Sequence, residues 1–283
     1  MERERIHSVH KIVICTLDTL YSGVAIHTFV ERFPERISLI CASKRYGKKY
    51  GSFLEQLLRN WKRSGFMFVE YLSFHFVYYF FMVYFASIVN KLLRKKQKVY
   101  SIGQLSRKYN IPVIKTNNPN NPDVINRIKE IQPDLILSVY FDHVIRKSIF
   151  DIPKFGVINV HTALLPDYRG PFPPLWPAIM KEETIGVTVH YINSEDLDTG
   201  PIIAEKRLPV IGGESVLGMD CRLVKEGIKL AEEVIIQIEN GTVHALHQEE
   251  RGRGKYYSYP TKKDLNKLVA PLFTMKDFFK QFF

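Results

Sequence analysis

Lys11-Ile-Val-Ile-Cys-Thr-Leu17, KIVICTL, decides the fold. A short apolar run enriched in β-branched residues is what a strand buried on both faces of a parallel sheet requires. Working outward, Gly23 to Phe33 reads as a helix and Ile37 to Ala42 (ISLICA) as a second buried strand. Strand, helix, strand at this spacing opens a doubly wound α/β sheet. Further along, Asn121 to Ile131 reads as a helix and Asp134 to Val139 (DLILSV) as a strand. Val157 to His161 and Val187 to Ile192 supply two more strands. The expected class is therefore α/β, mainly a parallel twisted sheet with helices on both faces.

Between these halves lies Gly65 to Leu93, dense in Phe and Tyr, with His75 the one ionisable imidazole of its apolar stretch Tyr71 to Val89. Lys62-Arg63 precede it, and Lys91 and Arg94-Lys95-Lys96 follow. A transmembrane helix takes about 20 apolar residues, so the length is borderline. A single crossing would put two halves of one sheet on opposite sides of a bilayer, and the many tyrosines suit an interface better than a lipid span. The expectation is a helical insertion, about 60–106, packed on the protein, with a peripheral membrane contact through 66–93 as the alternative.

Lys108 to Pro122 reads as loop, with an Asn-Pro turn cluster at 117–122. Ser215 to Asn240 has helical spacing ended by Asn240-Gly241, and Thr261 to Asp264 has capping-box spacing. Residues 11–245 are thus expected to form one catalytic domain, and 246–283 an extension whose Phe-rich stripe docks on the body.

The chain has 283 residues, 46% hydrophobic and 24% charged, an ordinary globular composition. Its net charge of +11 favours anionic partners or is simply a basic surface. The clusters Lys44-Arg45, Lys48-Lys49, Arg94 to Lys96 and Lys262-Lys263 are dispersed and do not form the block of a nucleic-acid arm. Cys15, Cys41 and Cys221 are odd in number and far apart, which fits neither a disulfide framework nor a zinc site. Met1 to His10 has no apolar run, so no secretory signal is read there. Both features point to the cytoplasm, with membrane association left open by the aromatic block.

The chemistry concentrates in Gly156-Val-Ile-Asn-Val-His161-Thr-Ala-Leu-Leu-Pro166-Asp-Tyr-Arg-Gly170. Alternate residues of a strand share a face, so Asn159 and His161 point the same way, roughly 6.5–7 Å apart. They stand at a strand's carboxyl end, where open α/β sheets bind ligands. In isolation, a hydrogen-bonded structural pair inside the sheet is the commoner reason for such residues. Downstream, Gly186-Val-Thr-Val-His190-Tyr-Ile runs into Asn193-Ser-Glu-Asp-Leu-Asp198-Thr-Gly200-Pro201, which alone is a turn signal.

Taken together, Asn159-x-His161, Leu164-Leu165-Pro166-x-Tyr168-Arg169-Gly170, Trp176 among prolines, Gly186-Val-Thr-Val and Leu197-Asp198-Thr199-Gly200 resemble the 10-formyltetrahydrofolate-dependent formyltransferases. That family spans enzymes for glycinamide ribonucleotide, methionyl-tRNA and sugar nucleotides, and the hydrolases of the donor. The resemblance is strong over about 130–210. It implies a Rossmann-like catalytic domain in which Asn159, His161 and Asp198 are the catalytic set. It places the folate against Tyr140, Phe141, Asp142, His143, Val144 and Ile145 on one side. Asn193, Ser194, Glu195, Asp196 and Leu197 hold it from the other. Tyr168, Arg169 and Gly170 border the acceptor, and no metal is implied.

The methionyl-tRNA branch carries a further C-terminal barrel, and residues 202–283 leave too little chain for it, so no nucleic-acid partner is expected. Pro171-Phe-Pro-Pro-Leu-Trp176 looks more like the sugar-amine branch. The expected acceptor is a small-molecule amine, most simply an amino sugar on a nucleotide or lipid. Gly254 to Lys263 is a candidate border of its pocket. A hydrolase using the same three residues, or a non-catalytic membrane-associated binding protein, are the alternatives.

Overall fold

The computed structural model describes residues 8–44, 51–252 and 254–283. Residues 1–7 of the charged N-terminus, and the basic positions Arg45 and Lys48-Lys49, lie outside them. KIVICTL forms β1 (Ile12–Leu17), buried throughout. α1 (Leu20–Arg32) follows, starting earlier than the apolar pattern suggests because Thr19 and Ser22 form a capping box. β2 (Ile37–Ser43) completes the opening unit.

The aromatic block is helical. α2 (Phe53–Ser64) precedes it, and α3 (Phe66–Ser73) runs through a π-turn at Phe74–Tyr78 into α4 (Tyr79–Leu92). α5 (Ile102–Tyr109) then leads to β3 (Val113–Thr116), inside the segment read as loop. β3 is four residues long and only partly buried, so it offered neither the length nor the apolar run of a central strand. α6 (Pro122–Ile131), β4 (Leu135–Val139), α7 (Lys147–Phe150) and β5 (Val157–His161) come next. α8 (Leu175–Met180) leads to β6 (Thr184–Ile192) and β7 (Ile202–Pro209). The long α9 (Val216–Asn240) begins at a Ser215 cap and stops at Gly241, in the left-handed region at φ 64°. Short α10 (Lys262–Leu265) and α11 (Met275–Phe279) close the chain.

The sheet has the order β3-β2-β1-β4-β5-β6-β7. β1 to β5 are parallel, whereas β6 pairs antiparallel with β5 and β7 antiparallel with β6. The sheet is therefore mixed. β7 escaped the sequence pattern because the consecutive Glu205, Lys206 and Arg207 put polar side chains on both faces of this edge strand. Alternation divides the core: Ile12 and Ile14 of β1 pack with α1 and α9, while Val13 and Cys15 pack with α6 and α7. Chain order reverses between β1 and β4, which opens the ligand-binding crevice at their carboxyl ends. In the C-terminal stripe Phe278 and Phe282 are buried, with Phe278 edge-on to Phe74 at 4.9 Å.

Candidate active site

On β5, Val157, Asn159 and His161 share one face, and the antiparallel register sets His190 opposite Asn159 and Thr188 opposite His161. Loops rather than a helix cover this face. Thr188 anchors one of them, accepting from the Leu165 N–H (3.1 Å) and donating to the Ala163 carbonyl (2.8 Å). The second loop brings Asp198 over the strands, its backbone left-handed at φ 55°. That conformation is costly for a residue with a side chain and marks a position fixed by its surroundings. Gln248 fixes it, donating from one amide nitrogen to the Asp198 and Gly200 carbonyls, each at 2.8 Å. The Asp198 carboxylate accepts the Gly170 N–H at 2.9 Å.

Two histidines flank this carboxylate: His161 Nδ1 lies 3.6 Å and His190 Nε2 3.7 Å from Asp198 Oδ1. Carbonyl oxygens only accept, and this assigns both rings. His190 Nδ1–H donates to the Tyr191 carbonyl (2.9 Å), and burial, opposed by Asp198, pushes its pKa down to about 4. A neutral ring protonated on Nδ1 leaves Nε2 as acceptor for the Asn159 amide, 3.1 Å away. The Asn159 side chain is thereby orientated, with one amide hydrogen and its oxygen left for the cavity. His161 Nε2–H donates to the Tyr168 carbonyl at 2.7 Å, so Nδ1 is the nitrogen turned toward Asp198.

A cavity of about 560 Å³ and a narrow slot of about 60 Å³ meet here. Asn159 and Asp198 line both, and His161 faces the larger space. The slot runs between the two predicted loops: Phe141, His143, Val144 and Ile145 on one side, Asn193, Ser194, Glu195, Asp196 and Leu197 on the other. Tyr140 and Asp142 face the larger cavity. Of the three residues expected at the acceptor, only Gly170 lines that cavity. Tyr168 lies behind it, stacked on Tyr257 with its hydroxyl on Glu182, and Arg169 bridges to Tyr256 through its backbone. Tyr256 and Tyr259 of the C-terminal extension do line the cavity.

Several groups went unread in the sequence. His190 was legible as a polar residue in the apolar run Gly-Val-Thr-Val, but its role depends on strand register. Gln248 carried no local signal. α2 and the insertion together supply a wall through Gln56, Arg59, Asn60, Arg63, His75 and Phe76. Arg63 lies over the Tyr259 ring at 4.0 Å. At the cavity floor, Asp220 of α9 accepts from the Tyr140 hydroxyl, which also meets Thr162 at 3.1 Å. Burial outweighs these hydrogen bonds and pushes the Asp220 pKa up to about 7.

The profile of the formyl transferase family matches residues 84–235. Methionyl-tRNA formyltransferase of Clostridioides difficile strain 630 is 36% identical over 146 residues, covering 49% of this chain and 47% of that protein. The enzyme of the same name from Alkaliphilus oremlandii is 33% identical over 160 residues, 56% of this chain and 51% of that protein. The chain thus spans about half the length of the curated relatives it matches. Among solved structures, the N-formyltransferase from Helicobacter canadensis, in complex with folinic acid and dTDP-3-aminofucose, superposes with a TM-score of 0.54. It is 17% identical over 96% of this chain and 78% of that one. Phosphoribosylglycinamide formyltransferase from Streptococcus pneumoniae gives 0.53 at 14% identity, covering 81% and 98%. At these identities the likeness concerns the fold.

Proposed function

We propose that this chain, which belongs to the formyl transferase family, moves a formyl group from a folate-type donor, 10-formyltetrahydrofolate, to the primary amine of a small acceptor, an amino sugar. The observation that carries the reading is the position of Asn159 and Asp198 where slot and cavity meet, with His161 beside them. A flat heteroaromatic ring suits a narrow slot walled by Phe141, Val144, Ile145 and Leu197, with two stretches of backbone along its edges. The larger cavity has room for a sugar-sized acceptor.

In the transfer, a bond forms between the acceptor nitrogen and the formyl carbon, and the bond from that carbon to N10 breaks. The amine loses a proton and N10 gains one. Negative charge develops on the formyl oxygen, where the remaining amide hydrogen of Asn159 can donate. One such donor contributes about 10²- to 10³-fold in rate. Asp198, held by the Gly170 N–H, is the base for the amine proton, directly or through water. His161, with Nε2–H held by the Tyr168 carbonyl, relays the proton taken up by Asp198 through Nδ1 to the departing nitrogen. General acid–base help of this kind adds about 10²- to 10⁴-fold.

The test follows tetrahydrofolate release from 10-formyltetrahydrofolate, with and without a panel of amino-sugar nucleotides. Release that requires one of the amines supports the transferase. Equal release in their absence, with formate formed, makes the protein a hydrolase on the same three residues. No release with any of them removes the amino-sugar acceptor.

A further inference from the structure

The helix running from Phe66 to Leu92 has two unlike faces. Phe68, Tyr71, Tyr79, Val83, Ala86 and Asn90 are buried against the body. Three of them are tied there by polar bonds. Tyr71 shares its hydroxyl with Tyr21 at 3.0 Å, Tyr79 donates to Asp18 at 2.9 Å, and Asn90 donates to the Phe282 carbonyl at 3.3 Å. The opposite face exposes Phe81, Tyr84, Phe85, Ile88 and Leu92, spaced at i, i+3, i+4, i+7 and i+11. Phe81 is 67% and Leu92 77% exposed, so these side chains stand almost free of the protein. Neighbouring α2 adds Leu54, Leu58 and Trp61 to the exposed apolar set. An apolar surface this continuous marks an interaction site rather than scattered exposure.

Charge identifies the occupant. Exposed Lys62 precedes the helix, exposed Lys91 stands in its last turn, and exposed Arg94 and Lys95 follow it. Glu70 is the one acidic residue between Ser64 and Arg107. Aromatic side chains on one face with cations at both ends are the features of a helix lying in the headgroup layer of an anionic membrane. A crossing is disfavoured although the segment is long and apolar enough for one. Tyr71, Tyr79 and Asn90 would have to leave their partners and enter hydrocarbon, where unpaired polar groups are costly. A protein partner of the same chemistry would have to match cations at both ends of a helix about 40 Å long, given a 1.5 Å rise per residue, and an apolar stripe confined to its second half.

We propose that the exposed face of α2 to α4 is a monotopic docking surface for an anionic lipid bilayer. α2 presents its other side, Gln56, Arg59, Asn60 and Arg63, to the large cavity. Docking therefore brings the cavity wall next to the headgroup layer. The inference does not depend on the formyl-transfer chemistry, and its test uses no turnover.

The purified full chain is mixed with vesicles of phosphatidylcholine alone and with vesicles containing one quarter phosphatidylglycerol, then floated on a density gradient. Tryptophan fluorescence reports insertion in the same samples, because Trp61 is exposed and the other tryptophan, Trp176, is buried, and light scattering gives the oligomeric state without lipid. Binding at least tenfold tighter to the anionic vesicles is expected, with a blue shift of Trp61. F81S/F85S/I88S and K91E/R94E/K95E, all at exposed positions, should each weaken it at least tenfold while keeping the thermal midpoint. Equal affinity for both vesicles, or undiminished binding by the F81S/F85S/I88S protein, overturns the proposal. So does a lipid-free dimer that the apolar substitutions dissociate, which would assign the face to a second copy. Protein recovered only by detergent, and not by salt or alkaline extraction, would mean a span instead.

Discussion

Replacing Asp220 by asparagine should make the protein more stable in alkali than in acid, relative to the unaltered chain. Asp220 sits on the first turns of α9, 2% exposed, under the hydroxyl of Tyr140. Burial raises its pKa to about 7, against about 3.9 in an unfolded chain. Its favourable contribution is therefore fully present below about pH 4 and is lost as pH rises through 7. Integrating the linkage, holding this carboxyl in the folded state costs on the order of 1–2 kcal/mol at pH 5 and about 4 kcal/mol at pH 8. A side-chain amide in its place does not titrate, and any packing defect it introduces is the same at both pH values. The stability difference between D220N and the unaltered chain should thus shift by roughly 2–3 kcal/mol in favour of D220N between pH 5 and pH 8. At about 2 °C per kcal/mol, that is a shift of roughly 5 °C in the difference between their thermal midpoints. Differential scanning fluorimetry across that range measures it. A difference that stays constant with pH would refute the reasoning, since it would mean that Asp220 titrates alike folded and unfolded.

Three further outcomes follow from the site. His161→Ala should lower kcat by about 10²- to 10⁴-fold, the loss of a general acid, while the affinity for a non-reactive formyl-folate analogue measured by calorimetry changes little. Loss of binding together with turnover would make His161 a structural residue. His190 has its pKa depressed to about 4 from 6.5, so its favourable contribution is present above about pH 6.5 and lost as pH falls through 4. Acidification from pH 7 to pH 4.5 should therefore destabilise the unaltered chain by about 2–3 kcal/mol more than H190Q, as urea titrations would read; equal losses would place the acid sensitivity elsewhere. Gly170→Ala forces a side chain onto a backbone at φ 106°, where its Cβ would lie 2.1 Å from the Tyr257 carbonyl oxygen. It should move the N–H that holds Asp198 and lower kcat/KM at least tenfold, whereas full activity would show that this hydrogen bond does not orient the carboxylate.

The parts of the fold that the sequence discloses are those in which local pattern and tertiary role coincide. β1, β2, β4 and β5 are buried on both faces, so their apolar runs stand out, and α9 carries a serine cap at one end and a glycine stop at the other. β3 and β7 lie at the two edges of the sheet, where partial exposure erases that contrast. The antiparallel turn of β6 is likewise invisible locally, because Val187 to Ile192 reads the same in either direction. At the candidate site, motif order brought Asn159, His161 and Asp198 forward together. His190 and Gln248 escaped because their parts depend on partners 31 and 50 residues away in the chain. The acceptor side shows the same division. Tyr168 and Arg169 stand in a motif yet face away from the cavity, while Arg59 and Arg63 reach it from a helix that no motif marks.

The most direct test of the account supplies 10-formyltetrahydrofolate with ¹³C in the formyl group, together with the amino-sugar nucleotide panel, and weighs the products by mass spectrometry. The account predicts one nucleotide sugar heavier by a single labelled carbonyl, formed by the unaltered chain and by neither H161A nor D198A. An unlabelled panel from a protein that nonetheless converts the donor to labelled formate would contradict the transfer. A labelled sugar formed equally by H161A and D198A would contradict the site.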